Sequence, residues 1–184
     1  MAIVSPLPKV ATVSRSAREV VPGLPHHVTQ RGNRRQPVFF NDGDYRLYRY
    51  LLAQHCTHSG VNVWAYAFLP NHVHLLLAPR TAGALTAALR EAHRRFTTAI
   101  NRREGWTGYL WQGRYGSQPL KTDAELLAVT RYIELNPVEA GLVKRPQDWP
   151  WSSARSHLGW VADPLLTSAE LIEIVGDWET FLAS

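Results

Sequence analysis

Two histidines one residue apart, His72 and His74, are the side chains of this 184-residue chain best spaced to do chemistry together. In an extended strand successive side chains face opposite ways, so both imidazoles and Leu76 share one face while Val73 and Leu75 share the other. Neutral imidazole binds divalent metals, and a strand would hold the two rings at a fixed spacing. The pair therefore predicts a metal site, although packed or surface histidines would give the same short pattern.

The residues around this pair predict an antiparallel pair of strands. Residues 61–69 are apolar on both faces, which is typical of a central strand. Pro70 and Asn71 then form a turn signal that leads into a strand over residues 72–78. An earlier short strand, residues 26–30, runs into the turn 31–35, whose three arginines are either solvated or bind phosphate.

Four further stretches predict helices. Asn41 is an N-cap signal for a largely apolar helix that ends near His58. Residues 84–103 repeat apolar side chains every three or four positions and carry arginines on the other faces. A third helix begins at residues 122–123, and Asn136 with the proline after it interrupts its pattern. Residues 167–182 predict one acidic amphipathic helix.

The order of these elements, with a short strand over residues 117–121, predicts an α+β protein with a ferredoxin-like split β-α-β arrangement. We expect an antiparallel sheet with two helices on one face, the other face free, and additional C-terminal helices. The histidines lie beside the helix 84–103 if they point to the helix face. The predicted organisation is an irregular basic arm over residues 1–20, one domain over 21–160, and an acidic helix over 161–184 that packs on it.

The charge balance predicts an anionic partner. Lysine and arginine total 20 against 15 acidic residues, and the pI is about 9.7, which is typical of nucleic-acid binding. Only Lys9, Lys121 and Lys144 are lysines, so planar guanidinium groups, which suit bidentate phosphate and base contacts, dominate. The glycine-rich aromatic loop 105–116 suits stacking on unpaired bases, or else its tryptophans fill the core.

The composition also argues against several classes of protein. No run of about 18 apolar residues is present, which excludes a membrane-spanning helix. The first residues lack the apolar core of a signal peptide, so we expect a cytoplasmic protein. Cys56 is the single cysteine, which excludes a disulfide framework and a zinc site built from thiolates.

Five stretches in this order resemble the REP-associated tyrosine transposases. They cover residues 26–36 (HHVTQRGNRRQ), 70–76 (PNHVHLL), 110–115 (LWQGRY), 131–142 (RYIELNPVEAGL) and 149–153 (WPWSS). The resemblance extends over about residues 18–157, and five motifs in order are far more specific than two histidines alone.

The resemblance implies a single-tyrosine HUH nuclease on a ferredoxin-like sheet, which acts on single-stranded DNA carrying hairpins of repetitive extragenic palindromes. In such proteins the strand histidines, here His72 and His74, bind Mg²⁺ or Mn²⁺, and the metal polarises the scissile phosphate. A helix tyrosine attacks phosphorus and leaves a 5′-phosphotyrosine and a free 3′-OH. The resemblance also implies that the protein acts as a monomer.

The nucleophile position departs from the family pattern. The family carries Arg-Tyr, three or four residues and then Asn on a helix, and residues 95–101 match with Phe96 in place of tyrosine. Phenylalanine has no hydroxyl, so this chain is expected not to cleave DNA. An engineered Tyr→Phe change fits the intact metal motif better than a natural loss of catalysis. Tyr109 and Tyr115 are alternative nucleophiles, and Phe96 also fits a core position on the apolar stripe.

The residues expected to bind DNA are cationic or aromatic members of the motifs and of the basic helix: Arg31, Arg34, Arg35, Arg94, Arg95, Trp111, Arg114, Tyr115 and Arg131. The leading hypothesis is metal-dependent cleavage and strand transfer of hairpin DNA, in a form without its attacking hydroxyl. The alternative is a non-catalytic hairpin-binding protein. A third hypothesis is a metal hydrolase with another substrate, which failure to bind single-stranded DNA at moderate salt would favour.

Overall fold

A four-stranded antiparallel sheet organises the chain. The computed structural model describes residues 19–183, so most of the predicted arm over residues 1–20 lies outside the described residues. The strands are β1 (His26–Arg31), β2 (Val61–Leu69), β3 (His72–Pro79) and β4 (Gly116–Pro119), in the spatial order β2-β3-β1-β4. All three pairings are antiparallel. The predicted ferredoxin-like order is confirmed, with the histidine strand inside the sheet.

Two long helices cover one face of this sheet. They are α1 (Asp42–Ser59) and α2 (Ala84–Glu104). Asn41 caps α1 as predicted, because its side-chain oxygen accepts a hydrogen bond from the Asp44 amide. The alternating β3 residues Val73 and Leu75 are fully buried in the core beneath these helices. This face therefore holds the main hydrophobic core.

The opposite face of the sheet, which the sequence predicts to be free, is covered by α3 (Asp123–Glu139). Leu76 of β3 packs there with Leu126 and Ile133 of α3 in a second apolar cluster. The helix also continues through Pro137, where an interruption is predicted. A proline near a helix end removes only one late hydrogen bond, and the Thr122–Glu125 capping box secures the other end.

Shorter helices complete the chain: α4 (Ala154–His157), α5 (Ala169–Val175) and α6 (Trp178–Ala183). The prediction of one helix over residues 167–182 is wrong, because Gly176, with a positive φ of +69° that favours glycine, ends α5 and separates it from α6. Leu171 and Trp178 are buried in the α3 cluster, so this acidic segment packs on the domain. Within residues 19–183, no helix combines the length and the apolar character needed to span a bilayer.

The aromatic turn 149–153 joins α3 to the free edge of β2. The Phe68 amide donates to the Trp151 carbonyl at 2.9 Å, which continues the strand pairing beyond β2. The Ser153 hydroxyl donates to the Glu134 carboxylate of α3 at 2.6 Å, and His157 Nδ1 lies 2.8 Å from the same oxygen. Glu134 is fully buried. These bonds hold α3 in one position over the sheet.

Candidate active site

The two histidines of β3 lie on the α3 face of the sheet. Their ring centroids are 5.0 Å apart and the rings are nearly perpendicular, at 78°. Leu76 lies on the same face, whereas Val73 and Leu75 lie on the other, so the predicted alternation is confirmed. A third histidine, His27 of the neighbouring strand β1, stacks on His74 with centroids 5.3 Å apart. Sequence reasoning missed His27, because its pairing partner is 47 residues away.

Asn71 fixes the proton on His72. Its side-chain amide Nδ2 donates to the Arg35 carbonyl at 2.9 Å, which leaves Oδ1 as the atom facing His72. His72 Nδ1 lies 2.6 Å from that oxygen. Since Oδ1 can only accept, His72 Nδ1 carries the proton and donates it. The other ring nitrogen, Nε2, then keeps its lone pair and is able to bind a metal.

His27 is the hydrogen-bond partner of His74 Nδ1, as Asn71 is of His72 Nδ1. Its Nε2 lies 3.0 Å from His74 Nδ1. Two tautomers satisfy this hydrogen bond, but only donation from His74 Nδ1 leaves a lone pair on His74 Nε2. A cation bound at His74 Nε2 would therefore select the tautomer in which His27 is the acceptor.

All three imidazoles are held in the neutral form. Burial, with a smaller contribution from the nearby Arg31 guanidinium, lowers the pKa of His72 to about 4. Burial lowers the pKa of His74 to about 3, with smaller contributions from His72, His27 and Arg31. Burial also lowers the pKa of His27. A metal would not have to compete with protons for these nitrogens near neutral pH.

The tyrosine beside these histidines is Tyr132 of α3. Its ring meets His74 edge-on with centroids 5.2 Å apart, and meets His27 edge-on at 6.0 Å. Its side chain is 41% exposed, so a substrate can reach it. Sequence reasoning did not propose Tyr132. The family pattern is Arg-Tyr followed by three or four residues and then Asn, and Arg131, Tyr132 and Asn136 fit this pattern as well as residues 95–101 do.

The expectation that Phe96 lies beside the histidines is wrong. Phe96 is completely buried between α1, α2 and the opposite face of the sheet. Its ring contacts Phe39, Tyr48 and Trp111 at centroid distances of 5.2 to 6.0 Å. The sheet itself separates it from His72 and His74. Phe96 therefore occupies the core position that its place on the apolar stripe of α2 also predicted.

Arg31 is the predicted DNA-binding residue closest to the histidines in the sheet. It pairs in register with His72 across β1 and β3, and it is exposed. Arg34 and Arg35 follow in a short 3₁₀ turn, and both adopt left-handed backbone angles, with φ of 53° and 60°. Such angles are unfavourable for residues with a β-carbon and persist only where surrounding contacts enforce them.

Three hydrogen bonds hold this arginine turn. The Asn33 amide donates to the Leu110 carbonyl, and the Gly32 amide donates to the Asn71 carbonyl. The Asn71 side chain donates to the Arg35 carbonyl. A side chain at Gly32 would place its Cβ 2.2 Å from the Gln36 carbonyl oxygen, so only glycine fits. The turn is thus fixed against the residue that orients His72. Within residues 19–183, Arg31, Arg34 and Arg35 form no ion pair with a carboxylate.

The remaining predicted DNA-binding residues lie on several surfaces. Trp111 and Tyr115 are 7% and 8% exposed and pack in the main core, so their rings are not free to stack on bases as expected. Arg94 and Arg114 instead border a groove along α2, and Arg95 is exposed on α2 outside that groove. Arg131 precedes Tyr132 on α3 and is partly buried.

The donor atoms at this site suit a metal that also takes oxygen ligands. Within residues 19–183, no three histidine, cysteine or acidic side chains are arranged to hold a metal by themselves. Two neutral imidazoles, which both present an Nε2 lone pair when His74 donates from Nδ1, fit a divalent cation whose other positions are filled by water or phosphate oxygen. His72 and His74 are the residues that would hold it.

A family profile assigns this chain to a class of transposases. The sequence profile of the family described as "Transposase IS200 like" matches residues 20–136. This match covers more than half of the chain, which is therefore a member of that family. The matched region contains the histidine pair and Tyr132, and it ends at Asn136.

Within that family, the chain is related to REP-associated tyrosine transposases. It is 28% identical over 116 residues to such a protein of Haemophilus influenzae, and 26% identical over 110 residues to that of Escherichia coli strain K12. These alignments cover 58% and 59% of this chain but only 66% and 64% of the relatives, just under two thirds of their length.

The solved structure of a REP-associated tyrosine transposase bound to a REP hairpin has the same fold. It superposes with a TM-score of 0.69 at 23% sequence identity, over 83% of this chain and 93% of that one. The fold assignment therefore extends beyond the residues that the family profile matches.

Proposed function

We propose that this protein cleaves and rejoins hairpin-forming single-stranded DNA, with Tyr132 as the attacking residue. The observation that carries the proposal is the position of Tyr132, whose ring contacts His74 and His27 on the face opposite Phe96. Of the tyrosines expected from sequence, Tyr109 and Tyr115 belong to the loop on the α2 side and lie away from the histidines. The position of Tyr132 supports it as the attacking residue, and we therefore expect cleavage activity although Phe96 has no hydroxyl.

A divalent cation at His72 and His74 would supply Lewis-acid stabilisation of the charge that develops on the scissile phosphate. Asn71 holds His72 in the tautomer that exposes Nε2. His27 can accept a hydrogen bond from His74 Nδ1, which is the tautomer that a cation at His74 Nε2 would select. Nitrogen ligands favour Mn²⁺ over Mg²⁺, because Mg²⁺ prefers carboxylate, phosphate and water oxygens. Asn136 follows Tyr132 by one helical turn and is a candidate oxygen donor from the same helix.

The proposed reaction exchanges one phosphodiester bond for another. The Tyr132 hydroxyl oxygen forms a bond to phosphorus and loses its proton, while the bond from phosphorus to the 3′-oxygen breaks and that oxygen takes up a proton. The products are a 5′-phosphotyrosine and a free 3′-OH. Because the phosphodiester energy is kept in the covalent link, attack by a 3′-OH can reverse the step and join strands.

The arginines near this face are suited to hold the DNA during the reaction. Arg31 lies beside His72, and the turn with Arg34 and Arg35 is fixed to Asn71. Guanidinium groups bind phosphates through paired hydrogen bonds. The related structure bound to a REP hairpin supports a folded palindrome as the substrate. We expect the protein to act as a monomer, which light scattering of the free and DNA-bound protein would test.

The test is a covalent-adduct assay. The protein, Tyr132→Phe and Phe96→Tyr are each incubated with a labelled library of DNA hairpins flanked by randomised single strands, with Mn²⁺ or Mg²⁺, and resolved on denaturing gels. We expect an adduct with the unchanged protein and with Phe96→Tyr, and none with Tyr132→Phe. Peptide mapping of the adduct should place the phosphate on Tyr132.

Three results would contradict the proposal in different ways. An adduct that persists in Tyr132→Phe would move the nucleophile elsewhere, with Tyr109 and Tyr115 next to be changed. Binding without an adduct in any form would favour the non-catalytic hairpin-binding protein. Absence of binding to single-stranded DNA at moderate salt would favour a metal hydrolase with another substrate.

A further inference from the structure

We propose that a groove along α2, on the opposite side of the sheet from the histidines, binds a single-stranded segment of the DNA and guides it to the active site. The inference rests on the proposed function, because it takes DNA as the ligand. The groove has a volume of about 620 Å³, within the range of roughly 300–1,000 Å³ that is usual for ligand sites. Gln30 lines it, whereas the next residue, Arg31, points to the histidine face.

The walls of this α2 groove come from two elements. One wall is a stripe of α2 that runs from Thr86 to Asn101, over about four helical turns. The other wall is the loop from Gly108 to Tyr115. A groove of this length between a helix and a loop is open along its axis and suits an extended chain better than a compact ligand.

The charge of the α2 groove suits a polyanion. Arg90, Arg94 and Arg114 line it, and no aspartate or glutamate does. Glu91 pairs with Arg94 at 2.8 Å from outside the lining, so part of that charge is offset. Arg114 is exposed and, in the part of the chain that the structure describes, forms no ion pair. This guanidinium is available to bind a phosphate.

An aromatic ring is presented at the same place. The Tyr109 side chain is 88% exposed although its backbone is fixed on both sides. The Asn101 side chain donates to the Gly108 carbonyl at 2.9 Å, and the Asn33 side chain donates to the Tyr109 carbonyl at 3.4 Å. A fixed, exposed ring beside arginines is the arrangement on which unpaired bases stack with little sequence preference. Charge and ring together identify single-stranded nucleic acid as the ligand.

The α2 groove continues toward the active site. A second cavity of about 530 Å³ shares Asn101 and Tyr109 with it and adds Trp106 and Arg34. Trp106 is 47% exposed, so a second ring lies along this path. Arg34 belongs to the arginine turn, which is bonded to Asn71 and through it to His72. A strand bound in the groove would therefore pass over the arginine turn to reach the histidines.

The test compares two DNA probes: a short hairpin alone, and the same hairpin with a single-stranded oligothymidine extension. Affinities are measured by fluorescence anisotropy without metal for the unchanged protein, Tyr109→Ala and Arg114→Ala. Arg46→Ala and Tyr50→Ala, one turn apart on the exposed side of α1, are matched controls. 2-Aminopurine in the extension reports stacking through quenching of its fluorescence.

We expect the unchanged protein to bind the extended hairpin more tightly and to quench 2-aminopurine. Tyr109→Ala should weaken binding of the extended hairpin roughly tenfold and abolish quenching, with no effect on the hairpin alone. Arg114→Ala should reduce the slope of log affinity against log salt by about 0.7, as expected for one lost contact to a single strand. The control variants should match the unchanged protein.

If the protein prefers the extended hairpin but Tyr109→Ala and Arg114→Ala bind it normally, the groove assignment is wrong while the proposed function stands. If the protein binds both probes equally and quenches nothing, the single strand does not enter the groove. If it binds neither probe, both the groove assignment and the proposed binding of DNA are overturned.

Discussion

The two faces of the sheet each carry a tyrosine in contact with a histidine, and the two pairs differ in accessibility. On the α2 face, the Tyr48 hydroxyl and His93 Nε2 are hydrogen-bonded at 2.9 Å, and the two rings stack with centroids 5.9 Å apart. Tyr48 is fully buried in the core, and His93 lies at its edge. On the α3 face, Tyr132 meets His74 edge-on and remains 41% exposed. Burial lowers the pKa of both histidines to about 3.

This comparison shows that residue type and a shifted pKa do not by themselves identify a reactive site. Tyr48 is fully buried and its hydroxyl is already bonded to His93, so no substrate atom can approach it. Tyr132 is open to solvent and lies above histidines whose remaining nitrogens are oriented by Asn71 and His27. The first pair stabilises the fold, and the second is available for chemistry.

The largest expected effect is a difference in cleavage rate between variants of the histidines on the two faces of the sheet. His72→Ala removes a metal ligand, and we expect Mn²⁺-dependent cleavage to fall by about a thousandfold or more, since metal stabilisation of the phosphate is worth several kcal/mol. His93→Gln keeps a hydrogen-bonding side chain beside Tyr48 and leaves the metal ligands in place. Although His93 lines the α2 groove, this variant should therefore lose far less cleavage activity than His72→Ala. Single-turnover cleavage of a labelled hairpin measures both. Equal losses in the two variants would show that His72 acts only through the fold.

The next effect concerns Phe96 and tests its assignment to the core. Phe96→Ala should lower the free energy of unfolding by about 3–5 kcal/mol, as is usual when a buried phenylalanine is truncated. Phe40→Ala, at a ring that is 42% exposed, should cost much less. Urea denaturation measures both. A small loss at Phe96, comparable with that at Phe40, would contradict a role in core packing.

Phe96 also shows how far the sequence could lead. Apolar spacing placed it correctly on the inner stripe of α2, and alternation placed His72 and His74 correctly on one face. Neither pattern predicts which helix packs on the face of the sheet that carries the histidines, because both faces of β3 are apolar or buried. The pairing of β3 with α3 depends on long-range contacts, among them the buried bonds from Glu134 to Ser153 and His157.

For the arginines and aromatic residues predicted to bind DNA, the sequence likewise indicated the residue types but not which side chains are exposed. Charge alone indicated an anionic partner, but exposure is a property of the folded chain. Trp111 and Tyr115 fill the core, while Tyr109, which the sequence suggested only as an alternative nucleophile, presents its ring to solvent. Glycine-rich loops give no periodic signal for which rings point inward.

A third prediction uses the pH dependence of stability. Desolvation of its ring lowers the pKa of His93 to about 3 in the folded protein, against 6.5 for an unperturbed histidine. Below pH 6.5, His93 is protonated in the unfolded chain but stays neutral in the folded protein. The free energy of unfolding therefore falls as the pH drops from 6.5 toward 3. Between pH 7 and pH 5, this one group should cost about 2 kcal/mol.

His93→Gln should remove that part of the pH dependence, because glutamine does not titrate. His58→Gln, at an exposed position of α1, serves as the matched control. Urea denaturation of the three proteins at several pH values between 7 and 5 measures the difference. An unchanged slope in His93→Gln would show that His93 is protonated as easily in the folded protein as in the unfolded chain.

The smallest expected effect tests whether His27 orients His74. His27→Leu removes the acceptor for His74 Nδ1 and should weaken Mn²⁺ binding by about tenfold or more, the usual effect of losing such a partner. His27→Gln can place an amide oxygen near the position of Nε2 and should retain most of the affinity. Calorimetry measures the Mn²⁺ affinity, and nitrogen NMR shifts report the tautomer of His74 without metal. If leucine and glutamine weaken binding equally and leave the tautomer unchanged, His27 only packs against His74, and the orientation of that ring must come from β3 and Tyr132.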